Sequence, residues 1–517
     1  MSTIGFWRHA EVTPDRRALV EPDGTEVTYG ELAGAANQVL HGLRALGCQA
    51  EDVAAVLLPN GRQFLEVYFA CIQGGLYFTP LNYHLTPTEV SYVLRDSESV
   101  VLVAHERFGD VARQAADDSG IDPARRFAVG AIDGFRPYPE LAAGQPRTRP
   151  AGIRPGDRMI YTSGTTGAPK GIRRPLQQLD VDEWLGRDSP TRHSYGFADP
   201  DGVHLGACPL YHSAPSSMAA SALHSGNTLV LMDRWDAEET LRLIERHRVT
   251  TSHMVPTMFH RLLQLPDATR EAYDLSSLKL VVHGAAPISR HTKRRMIDWW
   301  GPKLYEYFGS TEVSATGVSS EDWLARPGTV GRGEPGTEVR VVDDDGVDCP
   351  PGVAGRIYMR SNFRAPFEYY KVPEKTAAAR IGDWVTVGDI GYLDADGFLF
   401  PIDRESNMII SGGVNIYPAE TEAVLLEHDA VGDVAVFGVP NEEWGEEVKA
   451  VVELRAGVAP SPELAEELMA FCRERLSGFK CPRSVDFRAE LPRADNGKLY
   501  KRLIRDEYWA GRDSRIH

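Results

Sequence analysis

The stretch Tyr161-Thr162-Ser163-Gly164-Thr165-Thr166-Gly167-Ala168-Pro169-Lys170-Gly171 gathers three glycines, four hydroxyl residues and one lysine behind the apolar pair Met159-Ile160. Glycines let a backbone turn so that successive N–H groups face an anion. Serine and threonine hydroxyls add donors or reach a metal ion, and the lysine brings a compact positive charge to phosphate oxygens. These residues describe a strand that runs into a loop built to hold a polyphosphate. A Walker A loop is excluded, because Pro169 precedes Lys170 and Gly171 follows it, where that motif requires Gly-Lys-Ser/Thr. A plain surface turn needs neither so long a run of loop formers nor a lysine.

Three further stretches carry chemistry. Tyr305-Glu306-Tyr307-Phe308-Gly309-Ser310-Thr311-Glu312 sets aromatics, a glycine turn, two hydroxyls and a carboxylate side by side. An aromatic face can stack on a purine, and a carboxylate can join the shell of Mg²⁺, which takes oxygen ligands and substrate phosphates. Read alone, the segment is equally a strand end with a capping Thr-Glu. Asp389 lies on a tight glycine turn, Gly388-Asp389-Ile390-Gly391, and the long run Asp403–Pro418 holds Arg404 and the pair Gly412-Gly413. Lys498 follows Gly497 near the C-terminus; on its own such a lysine is a solvated surface charge. His212, read alone, is a hydrogen-bonded core histidine.

Two lookalikes fail on context. Asp394-Ala395-Asp396-Gly397 opens like a calcium loop, but Phe398 and Leu399 fall where a ligand and a glycine belong, so a hairpin turn is expected. Gly331-Arg332-Gly333-Glu334-Pro335-Gly336 matches GxGxxG, yet a strand pattern, Thr337–Val342, follows it where a dinucleotide fold needs a helix.

The elements that must position these residues follow from local pattern. Thr28 with Glu31 forms a capping box before the stripe Leu32, Ala36, Val39, Leu40 and Leu43. Thr86-Pro87-Thr88-Glu89 starts a second helix. Val53–Leu58 and Ser99–Ala104 read as buried strands, and this alternation predicts a mostly parallel sheet with ligands collecting beyond the strand ends. Residues 106–155, rich in Asp, Arg, Pro and Gly, read as a surface connection. Thr228–Met232 and Leu278–His283 read as strands, with a helix capped by Asp236 between them. After about residue 330 short strands joined by Asp/Gly turns predict a β-rich part, and from Pro418 helix and strand alternate again.

Composition narrows the classes. The chain has 517 residues, 42% hydrophobic and 25% charged, and a net charge of 56 − 73 = −17. That acidic balance opposes nucleic-acid binding. The six cysteines form no CxxC pair and no zinc spacing, which fits a reduced interior. No apolar run of about 18 residues and no apolar stretch behind Met1 occur, so no membrane span is expected and a cytoplasmic enzyme is the default.

In their order along nearly the whole chain, these motifs resemble those of the adenylate-forming superfamily: acyl-CoA synthetases, luciferases and peptide-synthetase adenylation domains. The resemblance implies an α/β architecture. Residues 1–404 would form a large N-terminal domain of mostly parallel sheets flanked by helices, with a β-rich subdomain. Residues 405–517 would form a small mobile α+β lid. It implies ATP contacts from Thr162, Ser163, Gly164, Thr165, Thr166, Gly167 and Lys170 in the phosphate loop, and from Gly284, Ala285, Ala286, Phe308, Gly309 and Thr311 on the adenine side. Asp389 would hold the ribose hydroxyls and Arg404 ribose or phosphate. Thr165 and Glu312 would meet Mg²⁺. Lys498 would be the adenylation lysine bridging carboxylate and α-phosphate, with His212 and Glu312 completing the catalytic set. Tyr211, His212, Ser213, Met218 and Gly309 would line the acyl pocket; Ser411, Gly412 and Gly413 would meet coenzyme A; Glu405 and Ser406 would form the hinge. Two places depart from the family pattern: Phe308 stands where tyrosine is usual, and Ser406-Asn407 where the hinge is usually charged.

The implied activity is an ATP-dependent acid–CoA ligase that makes an acyl-adenylate and then a thioester. Leu210–Ala214 offers no carboxylate to pair a substrate ammonium, which a buried charge requires, so the expected substrate is an apolar, fatty or bulky hydrophobic, carboxylic acid. The alternative acceptor is the phosphopantetheine thiol of an acyl carrier protein. From another class, a non-catalytic ATP-binding protein is the competing reading, and the set Lys170, Glu312, Asp389, Arg404 and Lys498 stands against it. A homodimer is compatible with all of this.

Overall fold

The computed structural model describes residues 5–162, 169–181, 194–362, 365–493 and 499–510, without the side chains of residues 314 and 315. Two of its long helices start where the sequence places a capping box. Thr28 accepts from the Glu31 amide while Glu31 accepts from the Thr28 amide, opening Tyr29–Ala45; Thr86 and Glu89 do the same for Pro87–Asp96. Each reciprocal pair satisfies two of the amides that a helix start leaves without partners.

The buried strands Val53–Leu57 and Ser99–His105 belong to a parallel sheet in the order Arg136–Pro137, Arg126–Val129, Ser99–His105, Val53–Leu57, Tyr77–Pro80, Asp157–Arg158. Two of those strands lie in the segment expected to be a surface connection, which also holds the helix Gly109–Ser119. The helix escapes pattern reading because its buried side is only Ala112, Ala115 and Ala116. Arg126 counts against a strand, yet here it is buried: its guanidinium donates to the Ile121 and Ala116 carbonyls and pairs with Asp117.

A second sheet is parallel through Arg17–Val20, Thr228–Leu231, Val203–Gly206, Thr251–Met254, Leu280–His283 and Leu304–Gly309. Antiparallel strands, Ser314–Ser319 among them, finish its edges. The residues just past four of these parallel strands, Cys208, Val255, Ala285 and Ser310, all line one large cavity, as expected of open α/β sheets. Lys293 and Glu306, the latter on Leu304–Gly309, form a buried ion pair, with the Lys293 ammonium also over the Trp323 ring. Burial lowers the Lys293 pKa and raises that of Glu306.

The β-rich part is present as an antiparallel sheet containing Thr337–Val342, Gly355–Ser361, Asp389–Leu393 and Leu399–Arg404. Asp394–Phe398 is the turn of its last hairpin, with Gly397 at φ +80°, so the calcium reading is replaced by a turn as expected. The last sheet pairs Val431–Asn441 with Gly445–Leu454 and adds Ser484–Arg488 in parallel, covered by Pro418–Leu425 and Pro462–Arg473. All six cysteines are free thiols. No helix among the described residues is long and apolar enough to cross a membrane.

Candidate active site

Thr162 ends the strand Ile160–Thr162 and faces Lys170 across an antiparallel pair. The expected contacts Ser163, Gly164, Thr165, Thr166 and Gly167 lie outside the described residues, as does Lys498. A third strand, Glu368–Tyr369, pairs with Lys170–Arg173. It places the Tyr369 ring 4.8 Å from the Lys170 ammonium. Partial burial, and then Lys375, lowers the Lys170 pKa.

Tyr369 also donates from its hydroxyl to Glu312 Oε1 at 2.8 Å. Burial and the neighbouring Glu312 carboxylate raise the phenol pKa, which keeps the donor protonated. The backbone beneath Glu312 is clamped by the buried Arg174, whose Nη2 donates to the Thr311 and Glu312 carbonyls at 2.9 and 2.7 Å. Lys170, Tyr369 and Glu312 thus form one unit: ammonium over ring, ring hydroxyl on carboxylate. Among the described residues no cluster of three His, Cys, Asp or Glu could hold a metal. A single oriented carboxylate fits Mg²⁺ that arrives with nucleotide phosphates, since that ion keeps water and phosphate as its other ligands.

Phe308 lies on Leu304–Gly309, partly buried against an apolar cluster containing Val313 and Val341. Beside it the chain turns through Gly284 and Ala285. A Cβ on Gly284 would lie 2.7 Å from the Tyr307 ring and from its carbonyl oxygen, so only glycine fits there. Ala285 takes a left-handed φ of 68°, a conformation costly for an L residue outside a fixed site.

Asp389 and Arg404 face each other across the hairpin, with Arg404 Nε 3.1 Å from Asp389 Oδ1. Burial raises the Asp389 pKa against the opposing pull of Arg404. Past Arg404 comes a short turn, Glu405–Asn407. Glu405 pairs with Arg356 at 2.7 Å. Asn407 donates to Asp403 Oδ1 at 2.9 Å, and Asp403 Oδ2 accepts from the Ala419 amide at 2.9 Å. Asp403 therefore ties the last strand before the turn to the first helix after it. Asn407, neutral where a charge is usual, serves as its donor.

On the acyl side, His212 precedes the helix Ser213–His224, with its ring 4.2 Å from that of Tyr211. Tyr211 meets Tyr83 edge-on at 4.9 Å, and Tyr83 stacks flat on Phe108 at 4.8 Å. Tyr211, His212, Ser213 and Met218 all reach one cavity of ≈ 2840 Å³, together with Thr162, Lys170, Ala285, Ala286, Phe308, Gly309, Thr311, Glu312, Asp389, Arg404 and Ser406. Gly284, Glu405, Ser411, Gly412 and Gly413 do not line it. Gly412 and Gly413 instead make a two-residue hairpin turn with φ of 56° and 78° between Ile409–Ser411 and Val414–Ile416. That turn rests against the half-exposed Trp444, whose carbonyl accepts from the Gly412 amide at 2.8 Å. Arg493 and Leu499, which flank residues 494–498 in the sequence, do reach the cavity. They pair as an antiparallel bridge, and Arg493 is forked onto Asp433 with Nη2 to Oδ1 at 2.6 Å.

This geometry can be set beside known proteins. The AMP-binding enzyme model matches residues 6–367, and the AMP-binding enzyme C-terminal domain model matches 420–498. The chain belongs to the AMP-binding enzyme family. It is an adenylate-forming enzyme of the acyl-CoA synthetase type. A feruloyl-CoA synthase from Amycolatopsis sp is 35% identical over 98% of this chain and 99% of its own. A fatty acid–[acyl-carrier-protein] ligase, ScoC, from Streptomyces coeruleorubidus is 30% identical over 97% of this chain and 95% of its own. The o-succinylbenzoate CoA synthetase of Bacillus subtilis, solved with the acyl-adenylate OSB-AMP, matches with a TM-score of 0.81 and 28% identity, covering 99% of this chain and 98% of that one. Sequence reading missed Tyr369, Arg174 and Asp403; the first two meet the site across 57 and 137 residues of chain, beyond any local pattern.

Proposed function

We propose that this enzyme activates a carboxylic acid with an uncharged, largely apolar acyl group and transfers it to coenzyme A. One acid carboxylate oxygen attacks the α-phosphorus of ATP, pyrophosphate leaves, and an acyl-adenylate remains. A thiol then attacks the acyl carbon, the acyl–oxygen bond breaks, and AMP departs. The observation that carries the reading is the convergence of Lys170, Phe308, Glu312, Asp389 and Arg404 on one cavity whose other side holds Tyr211, His212 and Met218.

The residues divide the work. Lys170 and the loop amides of 163–167 hold the outer phosphates. Phe308 packs on adenine beside the Gly284–Ala286 turn, and Asp389 accepts from the ribose hydroxyls while Arg404 orients it. Glu312 with Thr165 would hold Mg²⁺, which when bound neutralises phosphate charge. Lys498 bridges the carboxylate and the α-phosphate. Catalysis here is positioning and charge stabilisation. The boundary between the large and small domains lies at 404/405, at the short turn after Arg404. The Arg493–Leu499 base lies at the cavity and the Gly412-Gly413 turn lies off it, which suits the adenylation half-reaction. Thioester formation would follow a rotation that exchanges the two.

A carrier-protein thiol as acceptor is the second reading, favoured by the likeness to ScoC. The test is pyrophosphate release across a panel of acids, followed by product analysis with coenzyme A or with a phosphopantetheinylated carrier protein. Lys498→Ala should lose pyrophosphate release and still turn preformed acyl-adenylate into thioester. Full first-step activity in that variant would remove Lys498 from its role.

A further inference from the structure

Four walls of the acyl side meet at a polar end that the adenylation chemistry does not use. His253 on Thr251–Met254 lies opposite Val282, and Val282 opposite Tyr305 on the next strand. Tyr307 stands two residues on, so it projects from the same face of the sheet. That face meets the helix Ser213–His224, whose Met218 and Ala222 pack with Val282 and Tyr307. His253 Nε2 and the Tyr307 hydroxyl lie 3.2 Å apart. Both residues line the cavity, together with Tyr195, Met218, and Ser217 and Ser221 one helical turn apart.

His253 is 2% exposed, and its Nδ1 meets no hydrogen-bond partner among the described residues. Burial pushes the imidazole pKa down to about 4, so at neutral pH the ring is uncharged, with one nitrogen donating and the other accepting. The Tyr307 oxygen offers one donor and two acceptor sites. Its bond to His253 uses one of them, and Tyr307 lines the cavity. None of the six wall residues carries a charge at neutral pH, so none of them balances an ionised substituent. An alkyl terminus buried against this wall leaves the Tyr307 oxygen with its His253 bond alone, whereas a hydroxyl adds a second. The rings of Tyr195 and Tyr307 offer flat or edge-on packing to another ring. Gly284 backs the Tyr307 ring at a distance that no side chain fits, which fixes the ring in place.

We propose that Tyr307, positioned by His253, reads an uncharged hydroxyl on the far side of the acyl group, so that the preferred substrate is a hydroxylated aromatic acid. This rests on the acid-activating reading above and narrows it. The enzyme then gains discrimination from a hydrogen bond as well as from shape, and a site built to bond a substrate hydroxyl rejects the analogue lacking it far more strongly than an apolar pocket rejects a methylene.

The test compares 4-hydroxycinnamate, cinnamate and decanoate with the full-length enzyme and with Tyr307→Phe, which keeps the ring and removes only the hydroxyl. Two readouts are used: kcat/KM for pyrophosphate release, and calorimetric binding of each acid. The wild type should favour the hydroxylated acid over cinnamate by at least about tenfold in both. Tyr307→Phe should bring that ratio near one by weakening only the hydroxylated acid. A wild-type preference for decanoate, equal treatment of the two cinnamates, or a preference that survives Tyr307→Phe would overturn the proposal. Discriminating binding without pyrophosphate release from any acid would uphold the wall and overturn the activity instead. Failure of both readouts would overturn both.

Discussion

Replacing Tyr369 separates two effects that its position joins. Its hydroxyl donates to Glu312 at 2.8 Å, and its ring lies 4.8 Å from the Lys170 ammonium. Tyr369→Phe removes only the first. A hydrogen bond to a charged acceptor contributes about 1.5–3 kcal/mol. Glu312 is only partly buried, so the lower end applies, which is about tenfold in an equilibrium constant. Tyr369→Leu also removes the ring, and a half-exposed cation–π contact contributes about 0.5–1 kcal/mol, a further two- to five-fold. The assays are calorimetric titration of ATP at fixed Mg²⁺ and the Mg²⁺ dependence of pyrophosphate release. Tyr369→Phe should raise half-saturating Mg²⁺ about tenfold and leave ATP affinity at saturating Mg²⁺ within about twofold. Tyr369→Leu should also weaken ATP at saturating Mg²⁺. An unchanged Mg²⁺ dependence in the phenylalanine variant, or identical behaviour of the two variants, would refute the linked arrangement.

Other consequences are open to measurement. Glu306→Gln leaves Lys293 buried without its partner and should cost about 3–5 kcal/mol in denaturant unfolding, most of it recovered in Lys293→Met/Glu306→Leu. In Glu306→Gln the unfolded lysine binds its proton more tightly than the folded one, so stability should climb as pH is raised from 7 towards the ordinary lysine pKa of about 10; a flat profile would contradict the burial of that charge. Gly284→Ala drives a methyl into Tyr307 and should raise KM for both ATP and acid while far-ultraviolet circular dichroism is unchanged. Burial raises the thiol pKa values of Cys48, Cys71, Cys208 and Cys472, with Cys48 pushed up to about 11. A bulky disulfide reagent should therefore leave those thiols untouched until the chain is unfolded, and rapid native labelling of any of them would be the contrary result.

How much of this could be read from the chain depends on how local the cause is. Capping boxes and the hairpin turn at Asp394–Gly397 are set by neighbours within a few residues, and each stands where its residues place it. The helix Gly109–Ser119 was hidden because three alanines carry its buried face, and the strand after it because a buried arginine stands in it. Phe308, Glu312, Asp389 and Arg404 were legible as chemistry; the first two reach the cavity from the end of a parallel strand, the other two from an antiparallel hairpin of another sheet. Tyr369, Arg174 and His253 act through partners far away in sequence, so nothing beside them marks their part. Asn407 looked like a lost hinge charge; its bond to Asp403 gives that side chain a task the sequence does not display.

The route of one oxygen atom tests the central claim most directly. If a carboxylate oxygen attacks the α-phosphorus and the thiol later attacks the acyl carbon, that oxygen leaves with AMP. An accepted acid carrying ¹⁸O in both carboxylate positions, incubated with ATP, Mg²⁺ and coenzyme A, should therefore yield pyrophosphate and AMP with one ¹⁸O per turnover, read by mass spectrometry. AMP without label, or ADP and phosphate as products, would contradict it.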